Sequence, residues 1–238
     1  MKASRWAVAL LVLIAVAAGM IGGGWLVGRG LERFRLADRT VVVKGLAEQT
    51  VDADYATWQL TFRRAGNDFG TVQRALSDDR DKVVAFLKQR GFKETEVEIR
   101  PLQVQDVYSR EYTTGNQPFR YTGTGHVLVK TDRIDQVAAS ALAIDPLIQA
   151  GLVIEGGEGP QYRLRGFNDL KSPLLAQATA NAREQAEKFA AEAGADLGRL
   201  QRANQGVIQI LGQGVDYDDP NSKTKRLRVV STFEYELK

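Results

Sequence analysis

The chain has 238 residues, a formal charge of +3 and no cysteine, so a disulfide framework is excluded and cysteine usage is silent about compartment. Setting aside Lys2 and Arg5 leaves 30 basic against 29 acidic residues, a body without the concentrated basic surface that nucleic-acid binding requires. The 210 residues after Gly28 are enough to bury a core unaided.

From Trp6 to Gly28 the sequence WAVALLVLIAVAAGMIGGGWLVG carries no charge. As a helix of 23 residues it reaches about 35 Å, enough for the roughly 30 Å hydrocarbon core of a bilayer. Trp6 and Trp25 stand near its ends, where indoles favour the headgroup region. Gly19 with Gly23, and Gly24 with Gly28, form two small-xxx-small pairs suited to helix packing in lipid. Lys2 and Arg5, an apolar stretch and Ala15-Val16-Ala17 also spell a signal peptide cleaved after Ala17. The uncharged run continues eleven residues past that point, which favours a retained anchor over a removed leader, the alternative being a soluble exported body. Arg29, Arg33 and Arg35 put positive charge on the second flank as well, so the charge rule leaves orientation open. Residues 1–28 read as a signal anchor or transmembrane helix, 29–39 as a juxtamembrane spacer and 40–238 as the body.

In the body, strand and helix signals alternate. TVVVKG at 40–45 and DYATWQLTFRR from Asp54, with Ala56, Trp58, Leu60 and Phe62 on one face, read as a first strand pair. Phe69, Val72, Leu76, Val83 and Leu87 follow helical spacing between Asp68 and Arg90, with Gly91 placed to stop the helix. TEVEIRPLQVQDVY predicts a strand bent or shifted at Pro101, joined through a turn-rich loop to the strand RYTGTGHVLVKT as a long hairpin. Ile134, Val137, Ala138, Ala141 and Leu142 predict a helix face that Asp145-Pro146 disturbs, and GLVIEGGEGPQYRLRGF reads as strand, turn and strand. The longest helix begins near Asn168 or at Ser172-Pro173 and ends at Gly194, with Leu174, Ala178, Ala182, Ala186 and Phe189 as its packing stripe. Strands around 199–211 and 225–237 flank a polar loop. These elements predict an α+β body of antiparallel sheet with packed helices, preceded by one N-terminal transmembrane helix.

Candidate chemistry is sparse. His126 is the sole histidine, so one chain cannot build a multi-histidine zinc site. It shares a strand face with Thr122, Thr124 and Lys130, and reads as a partly exposed structural residue. DYDDPNS at 216–222 gathers three carboxylates but lacks the glycine and distal glutamate of a calcium loop, and reads as a solvated turn. No phosphate loop, dinucleotide fingerprint or nucleophile elbow is present. Tyr108, Tyr112, Phe119 and Tyr121 cluster around the predicted hairpin tip, where they either pair across strands or contact a neighbouring subunit. No catalytic residue, metal site or cofactor is expected.

Several segments together resemble the SIMPL-domain family of bacterial exported proteins, which includes periplasmic immunogenic and oxidative-stress-defence proteins. VVVKGLAEQTVDADYATWQL is similar to the family's opening strand, glycine and aspartate-led strand, although Ala53 stands where proline is expected. FLKQRGFKETEVEIRPLQVQ, YTGTGHVLVKTDRIDQVAAS, AQATANAREQAEKFAAEAGADLGRL and VVSTFEYEL resemble the later pieces in order, so the likeness covers residues 40–238. It implies an exported, non-catalytic α+β domain, often homo-oligomeric and associated with envelope or oxidative stress, with the N-terminus inside and the body in the periplasm. The expectation is thus a periplasmic protein tethered to the inner membrane through residues 6–28 and assembling with its own copies. The alternative is a binding module that holds a small ligand or envelope component between sheet and helices. No particular envelope partner is implied.

Overall fold

Strand β1 (Thr40–Asp52) sets the pattern for the fold, since its odd-numbered residues from Val43 to Ala47 are buried and Val42, Lys44 and Leu46 are exposed. The computed structural model describes residues 16–29, 39–109, 118–155 and 159–238. The chain divides into two compact units. Of the described residues, one unit holds those up to Ala47 with Leu175–Val207 and Val229–Lys238, and the other those within Glu48–Leu174 with Ile208–Arg228. Strand β1, helix α5 (Phe167–Glu192) and strand β10 (Thr224–Leu237) contribute residues to both.

In the first unit, helix α1 covers residues 16–29 and its described side chains are exposed throughout. Among the described residues no helix is long and apolar enough to cross a membrane. Residues 6–15, the rest of the uncharged run, lie outside the described residues. Strand β10 lies between β1 and β8 (Leu197–Asn204), and pairs antiparallel with β8 from Thr232 opposite Asn204 to Leu237 opposite Leu197. Helix α5 presents alanines to the unit's core, and Ala178, Ala182 and Ala186 are fully buried. Small side chains are required here: a Cβ on Gly45 would stand 2.0 Å from the Ala178 carbonyl oxygen. The predicted stripe therefore holds except at its end, where Ala190 is buried and Phe189 is 55% exposed. The four-residue step from Ala178 continues to Ala190, and Phe189 falls outside it. Val43, Phe233 and Tyr235 complete this core, the last two rings stacked 6.5 Å apart.

The second unit is built on a six-stranded antiparallel sheet. Strand β2 (Tyr55–Gly66) pairs along its whole length with β5 (Tyr121–Thr131), from Ala56 opposite Thr131 to Gly66 opposite Tyr121. On the far side of β5 lie β3 (Val97–Ile99) and β4 (Gln103–Asp106), and on the far side of β2 lie β6 (Val153–Ile154) and β7 (Gln161–Arg163). The predicted hairpin is present with its displacement at Pro101: Ile99 is opposite Val127 whereas Gln103 is opposite Thr124, a one-residue slip in register. Helix α2 (Phe69–Gln89) and helix α3 (Ile134–Leu142) pack on one face of this sheet. Asp68 caps α2 by accepting the Thr71 N–H at 2.8 Å, and Gly91 ends it at φ +83°. The core contains Trp58, Leu60, Phe62, Val72, Leu76, Val83, Leu87, Val127, Val129 and Val137.

Several expectations are corrected. Strand β1 does not pair with β2, because it belongs to the sheet of β10 and β8, and β9 (Ile208–Gly212) also pairs with β10. The switch falls at Ala53: its N–H bonds to the Lys223 carbonyl at 2.8 Å, and the next N–H, of Asp54, bonds to the Arg163 carbonyl at 3.1 Å. Leu142 is 87% exposed, not part of the α3 core face, and Ser140 is buried there. Asp145-Pro146 opens a further short helix, α4 (Asp145–Gln149), with proline tolerated in its first turn. Of the two expected starts of helix α5, the one near Asn168 holds, since the helix begins at Phe167 and Pro173 lies inside it. The Asp54 carboxylate fixes that start, accepting the N–H groups of Arg165 and Gly166 at 2.6 Å each. The strand predicted at 199–211 is two strands, broken around Gly206, whose Cα approaches Val230 so closely that a Cβ would stand 1.9 Å from its carbonyl oxygen.

Candidate functional site

The residues singled out from sequence fall into four places. Gly19, Gly23, Gly24 and Gly28 lie on α1, and a Cβ added at any of them would meet nothing within 4 Å. Around them Met20, Ile21, Trp25, Leu26 and Val27 are exposed, and the Arg29 guanidinium sits 4.1 Å from the Trp25 ring centre. Of the four aromatics, Tyr108 and Phe119 are exposed, Tyr112 lies outside the described residues, and Tyr121 packs edge-on against Phe69 at 5.8 Å. Tyr121 thus belongs to the core margin. His126 faces outward as expected, its Nδ1 3.0 Å from the Thr61 hydroxyl oxygen. The acidic loop is occupied by its own neighbours. Asp216 pairs with Arg226 at 2.8 Å and Asp218 with Lys225 at 2.9 Å, and among the described residues no group of three metal-ligating side chains forms.

Sequence reading missed the buried charges. Asp79 is 1% exposed and is held by the Arg64 guanidinium in a two-point pair at 2.5 and 2.8 Å. The same guanidinium donates to the Gly151 carbonyl at 2.9 Å, while the Lys82 ammonium lies 3.8 Å from Asp79. The signal was present, since Asp79 stands three residues after Leu76 and four before Val83, on the apolar stripe of α2. Glu96 accepts bonds from Thr131, Arg133 and the Lys93 N–H. Burial works to raise its pKa, but these bonds outweigh it and hold the carboxyl at about 2. Lys225 is 2% exposed and donates to Asp218 and to the Asp219 carbonyl, which clamps the polar loop from inside.

Alternation gives the six-stranded sheet a second, polar face opposite its helices. Thr57, Gln59, Thr61, Arg63, Thr122, Thr124, His126 and Lys130 project there, half-buried or exposed. At the Gly66 end of β2 this face contains a groove of about 440 Å³ lined by Arg63, Arg64, Ala65, Phe119, Thr122 and Val153. On the helix side, a smaller cleft of about 240 Å³ is lined by Val84, Lys88, Phe92, Glu94, Val97 and Ile99. The Lys88–Glu94 pair, at 2.7 Å, contributes to its wall.

An α+β body of antiparallel sheets, faced by helices and punctuated by structural ion pairs, is the class of protein that these elements define. The family model named SIMPL, described as a protein of unknown function (DUF541), matches residues 41–231. The chain belongs to the SIMPL family. Comparison with curated proteins gives no match.

Proposed function

We propose that this chain is a non-catalytic periplasmic protein, tethered to the inner membrane through residues 6–28, that assembles with its own copies and acts in envelope or oxidative stress. The observation that carries the reading is the uncharged run from Trp6 to Gly28, whose described part is a helix with Met20 and Ile21 about three-quarters exposed. Apolar surface displayed all round a helix calls for lipid or another helix as its cover. Self-assembly is supported by Val42, Leu46 and Val230 of the first unit, exposed on strand faces turned away from the buried Val43, Val229 and Ser231. Tyr108 and Phe119 add exposed aromatic surface on the second unit. The test is light scattering of the full chain in a mild detergent, with cross-linking in intact cells. A defined multimer by both methods supports the proposal, and a monomer by both overturns it.

The second reading, a ligand module, is favoured by the cleft between α2 and β3. Its volume of about 240 Å³ is below the roughly 300–1,000 Å³ usual for small-molecule sites, which places this reading second.

A further inference from the structure

The groove on the polar sheet face has a chemistry that self-assembly does not use. Arg63 spends one N–H on Glu155, at 2.9 Å, in a single-point pair whose side chains are 52% and 48% exposed. A guanidinium carries five N–H donors, so most of its donor capacity is uncommitted. Exposed pairs of this kind contribute little, because water screens them and holding two long side chains costs entropy. An incoming carboxylate can therefore share or displace Glu155 at small cost, and can take the two-point geometry that Glu155 does not.

Donor capacity, not net charge, favours an anion here. Arg64, also in the lining, is already paired with the buried Asp79, so the anion's partner in the groove is Arg63. Arg120 is likewise paired with Asp106 at 2.9 Å. The remaining walls are apolar or aromatic: Phe119 is 44% exposed and Val153 is 59% exposed, so each has surface left to cover. Thr122 is the remaining polar residue of the lining. A volume of about 440 Å³ falls within the usual range for small ligands.

We propose that this groove binds a small aromatic carboxylate, its anion on the Arg63 guanidinium and its ring against Phe119 and Val153. Glu155 is then a built-in competitor, and its removal strengthens binding. Phe119 is shared with the surface proposed for assembly, but the anion contact on Arg63 is not, so failure of either proposal is read separately from the other.

The test is calorimetric titration of the full chain in detergent with naphthoate, with naphthamide as the uncharged counterpart. Saturable binding of naphthoate is expected, with naphthamide and Arg63→Gln each weakening it about tenfold and Glu155→Gln tightening it about threefold. Both substituted side chains are about half exposed, so the fold is retained, and partition into micelles is the same for every variant. Absence of saturable binding overturns the proposal. So does an Arg63→Gln variant that binds like the parent, or a Glu155→Gln variant that binds no tighter.

Discussion

Asp79→Asn removes the charge of the buried carboxylate while keeping its shape, and so isolates the electrostatic part of the Arg64 pair. In the native chain Arg64 and Asp79 share two bonds, with the acid 1% and the base 29% exposed. Breaking a fully buried pair costs about 3–5 kcal/mol, whereas an exposed pair is worth about 0–1 kcal/mol. With one partner buried and the other partly wet, the lower end of the first range applies, about 3 kcal/mol. Arg64 is then left with the Gly151 carbonyl as a native partner, and the turn after α4 loosens with it. At a urea slope of about 2 kcal/mol per molar, the unfolding midpoint falls by about 1.5 M. Trp58 is 4% exposed in the same unit and reports the transition by fluorescence once Trp6 and Trp25 are replaced by phenylalanine. The double variant Arg64→Met with Asp79→Leu, which removes both charges together, is expected to recover to within about 1 kcal/mol of the parent. A loss below about 1 kcal/mol in Asp79→Asn, or a double variant no more stable than the single one, refutes the reasoning.

Glu96 makes stability depend on acidity. Its carboxyl sits at about 2 in the folded chain against an ordinary 4.5, so its contribution is complete above about pH 4.5 and is lost as pH falls toward 2. That difference corresponds to about 3 kcal/mol, and Glu96→Gln is expected to flatten the stability profile in this window, as read by urea midpoints at stepped pH. Gly45→Ala drives a methyl into the Ala178 carbonyl and is expected to cost about 1–3 kcal/mol, visible as faster hydrogen exchange in β1 and α5. Leu46→Asp puts a charge on the exposed strand face of the first unit; the multimer is expected to dissociate at micromolar concentration while circular dichroism stays unchanged.

Local periodicity made much of the fold legible. The stripe Val72, Leu76, Val83 and Leu87 found α2, and strict alternation along β5 separated Val127 and Val129 from His126. Pro101 marked the register slip because a residue without an N–H breaks an edge ladder. Partner choice was not legible. Alternation along β1 says which residues face a core but not that the partner strand is β10, at the far end of the chain. The buried charges were hidden for a related reason: Asp79 needs Arg64 from a different element, Glu96 needs Arg133, and Lys225 needs the fold of its own loop. Phe189 and Leu142 were misplaced because hydrophobicity was read as burial, although isolated apolar side chains are common on surfaces. The candidate groove was the least legible, since Arg63, the Phe119 and Thr122 segment, and Val153 are brought together only by the sheet.

The central claim is that residues 6–28 are retained and hold the body on the periplasmic face of the membrane. Intact mass and protease accessibility of the membrane fraction from bacterial spheroplasts test it together. The account predicts an uncleaved 26.2 kDa chain that resists alkaline carbonate extraction and whose body is digested by protease added outside. A soluble chain beginning at Ala18, or a body protected until the inner membrane is breached, contradicts it.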